Sequence, residues 1–340
     1  MAYYRIAPAP PAGTPERIGI LLVNLGTPSQ PTYGSVWRYL REFLSDRRVI
    51  ETSRLLWYPL LYGLILNLRS LRTARNYRKV WMREGSPLMV LSKALAVKVA
   101  ARVQAAYGDR ARVELAMTYG SPSVDSALER FSTAQVRKLL VVPLYPQYCA
   151  STTGAVFDRV GETLRRRRWI PELRFVNDYF RGPAYVKAVA DSIRAHWQRL
   201  GRRTHLLLSF HGIPQSYVAQ GDPYQQHAQG TAALLRQELG LAEQDSTLAY
   251  QSRFGPVQWL QPYTADSLRA LAARGVKEVC VASPSFAVDC LETLEEIAVE
   301  YRAMFAALGG TLELVPALND GDAHVEALFE VIGRHLQGWV

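Results

Sequence analysis

Short aliphatic runs, eight of them, alternating with longer stretches of helical periodicity leave this chain few folds to choose from. The runs fall at 18–24 (IGILLVN), 112–118, 138–143, 173–176, 205–210, 247–251, 278–282 and 312–315. Helical patterns between them cover 33–45, 88–107, 124–134, 183–200, 227–239, 264–274 and 291–308. Strand–helix–strand alternation predicts parallel βαβ units with right-handed crossovers. Unbroken apolar strands such as LLVV and HLLLSF suit sheets covered on both faces. Two sets of four strands predict an α/β chain of two similar Rossmann-like lobes, each a four-stranded parallel sheet flanked by helices, with a cleft between them. The expected division is 1–165, joined by the C-terminal helix 318–340, and 166–317.

Three turns echo one another at expected strand ends: Leu25-Gly26-Thr27-Pro28, Tyr119-Gly120-Ser121-Pro122 and His211-Gly212-Ile213-Pro214. Gly permits a sharp turn and Pro pre-sets the next φ. Ligands of open α/β sheets gather at these C-terminal strand ends. No G-x-G-x-x-G, G-x-x-x-x-G-K-[ST] or G-x-S-x-G is present, so dinucleotide, P-loop and α/β-hydrolase chemistry have no support.

Composition narrows the classes further. At 340 residues, with 49% hydrophobic and 21% charged, the chain is globular rather than disordered. Three cysteines, Cys149, Cys280 and Cys290, form no C-x-x-C pair and no disulfide framework, which reads as a reduced, cytoplasmic protein. The net charge of +10 suits an anionic partner, but no RRM, KH or zinc-finger signature points to nucleic acid. The N-terminal MAYYRIAPAPPAGTPER has no apolar h-region. The longest uncharged run, 55–68 (LLWYPLLYGLILNL), is shorter than the ~20 apolar residues of a spanning helix and contains Pro59 and Gly63.

Two places carry uncommon side chains. His211 ends the run LLLSF, and Gly212 and Pro214 turn the chain directly after it, which puts an imidazole at a rigid strand end. The strand EVCVA leads through SPSFAVDC into a helix with Glu292, Glu296 and Glu300 at i, i+4 and i+8 and Glu295 beside them. One histidine with carboxylates makes a borderline-to-hard site suited to Fe²⁺. The stretch 55–68, read as hairpin-like, is flanked by Arg47, Arg48 and Arg54 before it and by Arg69, Arg72, Arg75 and Arg78 after it. It suits a membrane interface or the rim of a pocket for a flat, carboxylate-bearing ligand. Arg165 to Arg168 read as solvated surface.

Together these segments resemble the ferrochelatase family, from Gly19 to about Glu330. The resemblance is carried, in this order, by GILLVNLGTP (19–28), LSDRRVI (44–50), GSPLMV (85–90), YGSP (119–122), LYPQY (144–148), STTG (151–154), LSFHGIP (208–214), GDPY (221–224), YQSRFGPVQWLQP (250–262) and DCLETLEE (289–296). It implies a chelatase fold and a lyase-type metal chelatase that inserts Fe²⁺ into protoporphyrin IX to give protohaem, the last step of haem biosynthesis, with release of two protons. By resemblance, His211 and Glu292 are the catalytic and metal-site pair, and Asp289 and Glu296 form a proton or metal relay behind them. Leu25, Arg69, Ser86, Tyr119 and Trp259 match porphyrin-binding positions. Cys290 stands where many members have histidine, and Thr118 replaces an arginine of the animal enzymes.

Coproporphyrin-type members tend to have tyrosine where Leu25 stands, so protoporphyrin IX is favoured over coproporphyrin III. Some members hold a [2Fe–2S] cluster on four cysteines. This chain has none after Cys290, so no cluster is expected and iron is a substrate, not a cofactor. The expected setting is a cytoplasmic monomer with peripheral contact to anionic membrane through 55–68, and no nucleic acid. The rivals are a cobalt or nickel chelatase acting on a more polar tetrapyrrole and a non-catalytic porphyrin- or haem-binding protein.

Overall fold

Each of the eight expected strands forms: β1 (Arg17–Gly26), β2 (Ala111–Tyr119), β3 (Val136–Pro143), β4 (Glu172–Phe175), β5 (His205–His211), β6 (Ser246–Gln251), β7 (Glu278–Ala282) and β8 (Thr311–Leu314). The computed structural model describes Tyr3, Tyr4, Gly13 and residues 16–340. The strands make two four-stranded sheets with the orders β2-β1-β3-β4 and β6-β5-β7-β8, and every pair is parallel. The same order in both halves is the structural form of the echoed turns.

The chain divides into two compact units. One holds the described residues of Met1–Tyr145, Cys149–Asn177 and Leu328–Val340; the other holds Pro146–Tyr148 and Asp178–Ala327. The boundary expected at 165 therefore moves past β4, whose Glu172 to Phe175 pair with Lys138 to Val141 of β3 and complete the first sheet. At the C-terminus the first unit takes Leu328–Val340 rather than all of 318–340. In the first unit Leu21, Val23, Leu139 and Val141 pack against Leu128, Phe131, Val156 and Val160 from the helices Val124–Thr133 and Ala155–Leu164. In the second, Leu207, Ala249, Val279 and Val281 pack against Leu268, Leu271, Ile297 and Phe305. Burial on this scale, about 25 cal/mol per Å² of apolar surface, holds each sheet to its helices.

Two glycines set the strand ends. Gly26, at φ +111°, lies so close to β2 that a Cβ there would sit 1.9 Å from the Tyr119 carbonyl oxygen. At Gly212, directly after β5, a Cβ would meet the Gln251 carbonyl at 3.0 Å and the Trp259 ring at 3.1 Å. Both positions bring the first strand of a sheet against the end of its edge neighbour, β2 or β6.

Residues 54–80 form one helical run rather than a hairpin: Arg54–Leu60, a π turn Leu61–Ile65, and Leu66–Val80. Its inward positions are Trp57, Leu61, Leu66, Ser70, Ala74 and Tyr77, all buried. They step by three or four except at 61 to 66, where the step of five is the extra residue that i→i+5 winding absorbs. Pro59, which has no N–H to donate, lies just before that turn. Trp57 Nε1 donates to the Leu44 carbonyl at 2.7 Å and pins the run to the body. Among the described residues no helix is long and apolar enough to cross a membrane.

Candidate functional site

In each sheet the strand order reverses beside the first strand, between β1 and β3 and between β5 and β7. Open α/β sheets bind ligands at the carboxyl ends of strands flanking such a reversal. In the second unit those ends are His211, the last residue of β5, and the segment 283–292 after β7. The two are stitched together: the His211 backbone N–H donates to Ser285 Oγ at 3.3 Å. Opposite β5, Gln251 is His211's register partner on β6. Its Nε2 donates to the Glu292 carbonyl at 3.0 Å, so one side chain spans from the histidine's neighbour strand to the glutamate's turn.

The imidazole of His211 has a defined tautomer. Its Nδ1 lies 2.6 Å from the Gly212 carbonyl, which can only accept, so Nδ1 carries the proton and Nε2 the lone pair. The ring sits between two aromatics, with centroids 6.3 Å from both Trp259 and Phe286. Trp259 is itself held by antiparallel pairing of its loop with the turn after His211. Leu260 N–H donates to the Ile213 carbonyl, Gln215 N–H to the Gln258 carbonyl, and Trp259 Nε1 to the Phe254 carbonyl at 2.8 Å. Trp259 is half-buried, as a ligand-lining ring requires.

The acidic segment is not the α-helix expected over 291–308. Residues Glu292–Tyr301 wind as a π-helix and only Arg302–Ala307 is α-helical. Glu292 opens the π-helix and is half-buried. Its carboxylate accepts from the Cys290 thiol, and burial together with the Glu292 charge pushes that thiol well above its ordinary pKa. Cys290 is thus a buried neutral donor to Glu292 rather than a thiolate.

The two residues expected to relay protons or metal from Glu292 are each held by several hydrogen bonds. Asp289, buried, accepts from Thr293 Oγ1 at 2.9 Å, Asn319 Nδ2 at 2.8 Å and the Ala317 N–H at 3.3 Å, and its own N–H donates to Asn319 Oδ1. It ties the start of the π-helix to the loop after β8. Glu296 accepts from the Ser252 N–H at 2.8 Å, Ser252 Oγ at 2.5 Å, Tyr301 Oη at 2.7 Å and Gln251 Nε2 at 3.4 Å. Both carboxylates are thereby fixed in position beside Glu292.

In the first unit the expected porphyrin contacts divide. Leu25, at the end of β1, is half-buried, and its N–H is held by Asn24 Oδ1 at 2.8 Å. Arg69 is half-buried on Leu66–Val80. Tyr119 is a correction: it is 0% exposed, donates to Asp46 Oδ2 at 2.9 Å and packs edge-on against Phe43, so it supports the end of β2 without offering a surface. Burial and the Asp46 charge hold its phenol protonated. Ser86 is a second correction: buried, it caps the helix Pro87–Tyr107 by accepting the Met89 N–H at 3.3 Å.

Sequence reasoning passed over Gln251, Ser252, Asn319 and His324. His324 is 1% exposed and donates Nδ1–H to the Asn319 carbonyl at 2.6 Å. His196 is buried as well. Ser252 (φ +65°) and Asn319 (φ +51°) are two of the three non-glycine residues with left-handed backbone among those described. Each grips one of the carboxylates flanking Glu292. The YQS segment inside YQSRFGP was the available signal for two of them, but φ is not legible in a motif.

Comparison with known proteins identifies the family. The ferrochelatase family model matches residues 17–336. A ferrochelatase of Thioalkalivibrio sulfidiphilus is 47% identical over 328 residues, covering 96% of this chain and 89% of that protein. The ferrochelatase of Bordetella pertussis is 49% identical over 331 residues, with 97% and 91% covered. That of Methylobacillus flagellatus is 46% identical over 341 residues, with 100% and 99% covered. Among solved structures, SirB from Bacillus subtilis with Fe³⁺ aligns at TM-score 0.56 and 10% identity, covering 94% of this chain and 95% of that one. CbiX, described as the terminal enzyme for siroheme biosynthesis in denitrifying bacteria, aligns at TM-score 0.51 and 17% identity, with 93% and 98% covered. At such identities these two structures speak for the fold alone. With nearly its whole length matched and close to half its residues identical to named relatives, the chain belongs to the ferrochelatase family.

Proposed function

We propose that this chain inserts Fe²⁺ into protoporphyrin IX as a lyase-type chelatase, with His211 and Glu292 as its catalytic residues. One observation carries the assignment of His211: the bond from Nδ1–H to the Gly212 carbonyl leaves a basic Nε2 at the end of β5. Insertion requires two pyrrole N–H protons to leave and the metal to shed water. A neutral imidazole with a fixed tautomer accepts the first proton at Nε2 without having to reorganise. The Glu292 carboxylate supplies a second acceptor and an oxygen ligand for the incoming metal. Bending the macrocycle exposes its nitrogen lone pairs, and packing against rigid aromatics such as Trp259 holds the bent form. Leu25, in place of the tyrosine of coproporphyrin-type members, favours protoporphyrin IX.

A [2Fe–2S] cluster does not fit these residues. Cys149 lies 3.1 Å from Ser151 Oγ, Cys280 accepts from Trp197 Nε1 at 3.2 Å, and Cys290 donates to Glu292; all three are buried. A four-thiolate set is out of their reach.

The outer face of 54–80 supports contact with an anionic membrane surface. Leu55 is 88% and Leu56 72% exposed, and Tyr58, Leu60, Tyr62 and Leu64 are exposed with them. No acidic residue occurs from 52 to 83, where seven Lys and Arg do. The first unit carries 28 of the 40 Lys and Arg but 13 of the 30 Asp and Glu, a net +15, whereas the second carries −5. Leu55→Glu with Leu56→Glu is expected to abolish sedimentation with phosphatidylglycerol vesicles, and binding by the unchanged protein is expected to weaken with salt.

The decisive assay is anaerobic insertion of Fe²⁺ into protoporphyrin IX followed by absorbance, with coproporphyrin III and Zn²⁺ run in parallel. Saturable turnover, greater with protoporphyrin IX and lost in both His211→Ala and Glu292→Ala, is expected. Tight porphyrin binding without turnover would overturn the catalytic assignment.

A further inference from the structure

The ten-residue π-helix Glu292–Tyr301 demands a cause. Extended i→i+5 winding is rare, and little in the residues ETLEEIAVEY prefers it over an α-helix. The side-chain bonds supply one. Tyr301 Oη donates to Glu296 Oε1 at 2.7 Å, and these residues are five apart. On an α-helix, at 3.6 residues per turn, positions i and i+5 point about 140° apart, too far round for a direct bond. On i→i+5 winding they stack, as the backbone bond from Arg302 N–H to the Ile297 carbonyl also does. The same Glu296 carboxylate is gripped from β6 by both the N–H and Oγ of Ser252, which the left-handed backbone turns toward it. Gln251 Nε2 joins the far end of the clamp, bonding the Glu292 carbonyl and Glu296 together.

We infer that Tyr301 and Ser252 are positioning residues: by clamping Glu296 from i+5 and from β6, they select the π winding that sets the direction of Glu292. Burial and the nearby Glu296 charge keep the Tyr301 phenol protonated, so it remains a donor. Relaxation to α-helical winding rotates each residue relative to its neighbours, and Glu292, at the first position, loses its registration with Gln251. The inference rests on the catalytic assignment of Glu292 made above.

The test pairs Tyr301→Phe, which removes one hydroxyl, with Ser252→Gly, which keeps the left-handed backbone and the N–H but loses Oγ. Zn²⁺ insertion into protoporphyrin IX is measured for each variant, for the double variant and for Glu292→Ala, alongside thermal melts. Each single variant is expected to melt near the parent and keep its porphyrin KM within about two-fold while kcat falls about ten-fold, less than the ~100-fold that a full 1 Å misplacement can cost. The double variant is expected to lose less than the product of the singles, because both act on one carboxylate. Unchanged kcat in both single variants would overturn the inference. So would a fall in kcat that tracks lost melting temperature and a raised porphyrin KM, since that marks general loosening. Loss of turnover in Glu292→Ala with normal Tyr301→Phe and Ser252→Gly would overturn only the winding inference. Retention of turnover in Glu292→Ala would overturn the catalytic assignment and the inference with it.

Discussion

Acid should unfold this protein through a histidine that never meets solvent. His324 is fully enclosed at the start of the helix Asp322–Leu336, and burial pushes its pKa down from 6.5 to about 4. Its Nδ1–H is already committed to the Asn319 carbonyl, so an entering proton must go to Nε2, which is buried without a hydrogen-bond partner. A histidine whose folded pKa is depressed stabilises the fold fully above its unfolded pKa and loses that contribution as pH falls. Between pH 6.5 and 4 the unfolded chain binds the proton and the folded one does not, so stability rises with pH across that window. A pKa held at about 4 rather than 6.5 is worth about 3 kcal/mol in full, and about 2 kcal/mol of it is gone by pH 5. Urea denaturation at steps from pH 7.5 to 4.5, for the parent and His324→Phe, measures this difference. Burial also depresses His196, His205, His227 and His335, so the comparison between proteins isolates the one residue. Over the range the variant should lose about 2.5 kcal/mol less stability than the parent. Parallel slopes would refute the reasoning. The transition is also expected to begin locally, because His324 holds the Asn319 loop that in turn holds Asp289.

Gln251→Met keeps volume but leaves the Glu292 carbonyl and one Glu296 oxygen without that donor. It should cost about 2 kcal/mol in urea melts and lower kcat more than it raises the porphyrin KM. Gly26→Ala drives a Cβ into the Tyr119 carbonyl at a φ of +111° and should destabilise by about 3 kcal/mol or more in the same melts, whatever its effect on activity. Cys290 should resist alkylation in the folded protein at mildly alkaline pH and react on unfolding, because burial and the Glu292 charge disfavour its thiolate. Rapid labelling at Cys290 in the native state, read by peptide mass, would contradict that account.

Much of the architecture was readable from local pattern, because the forces that set it are local or periodic. Unbroken aliphatic runs call for strands buried on both faces, and 3.6-residue periodicity calls for covering helices. β1 and β5 answer to the first rule, whereas β4, whose residues stay exposed or half-buried, fell outside its expected unit because strand pairing, not composition, draws a domain boundary. Strand-end position likewise brought His211 into view, since Gly212 and Pro214 announce a sharp turn before any contact is known.

What local pattern could not supply was the wiring among distant residues. The acidic stripe reads as an ordinary α-helical face until Ser252 and Tyr301 clamp Glu296. Nothing local announces that Asn319 and Ala317, about thirty residues on, bond the oxygens of Asp289. Tyr119 and Ser86 read as ligand contacts until burial makes one a prop for β2 and the other a helix cap. In each case the residue's role depends on which partner satisfies its polar atoms once water is excluded. That partner is brought into reach by the packing of β6 on β5 and of the 315–321 loop on the π-helix, at sequence separations no periodicity records.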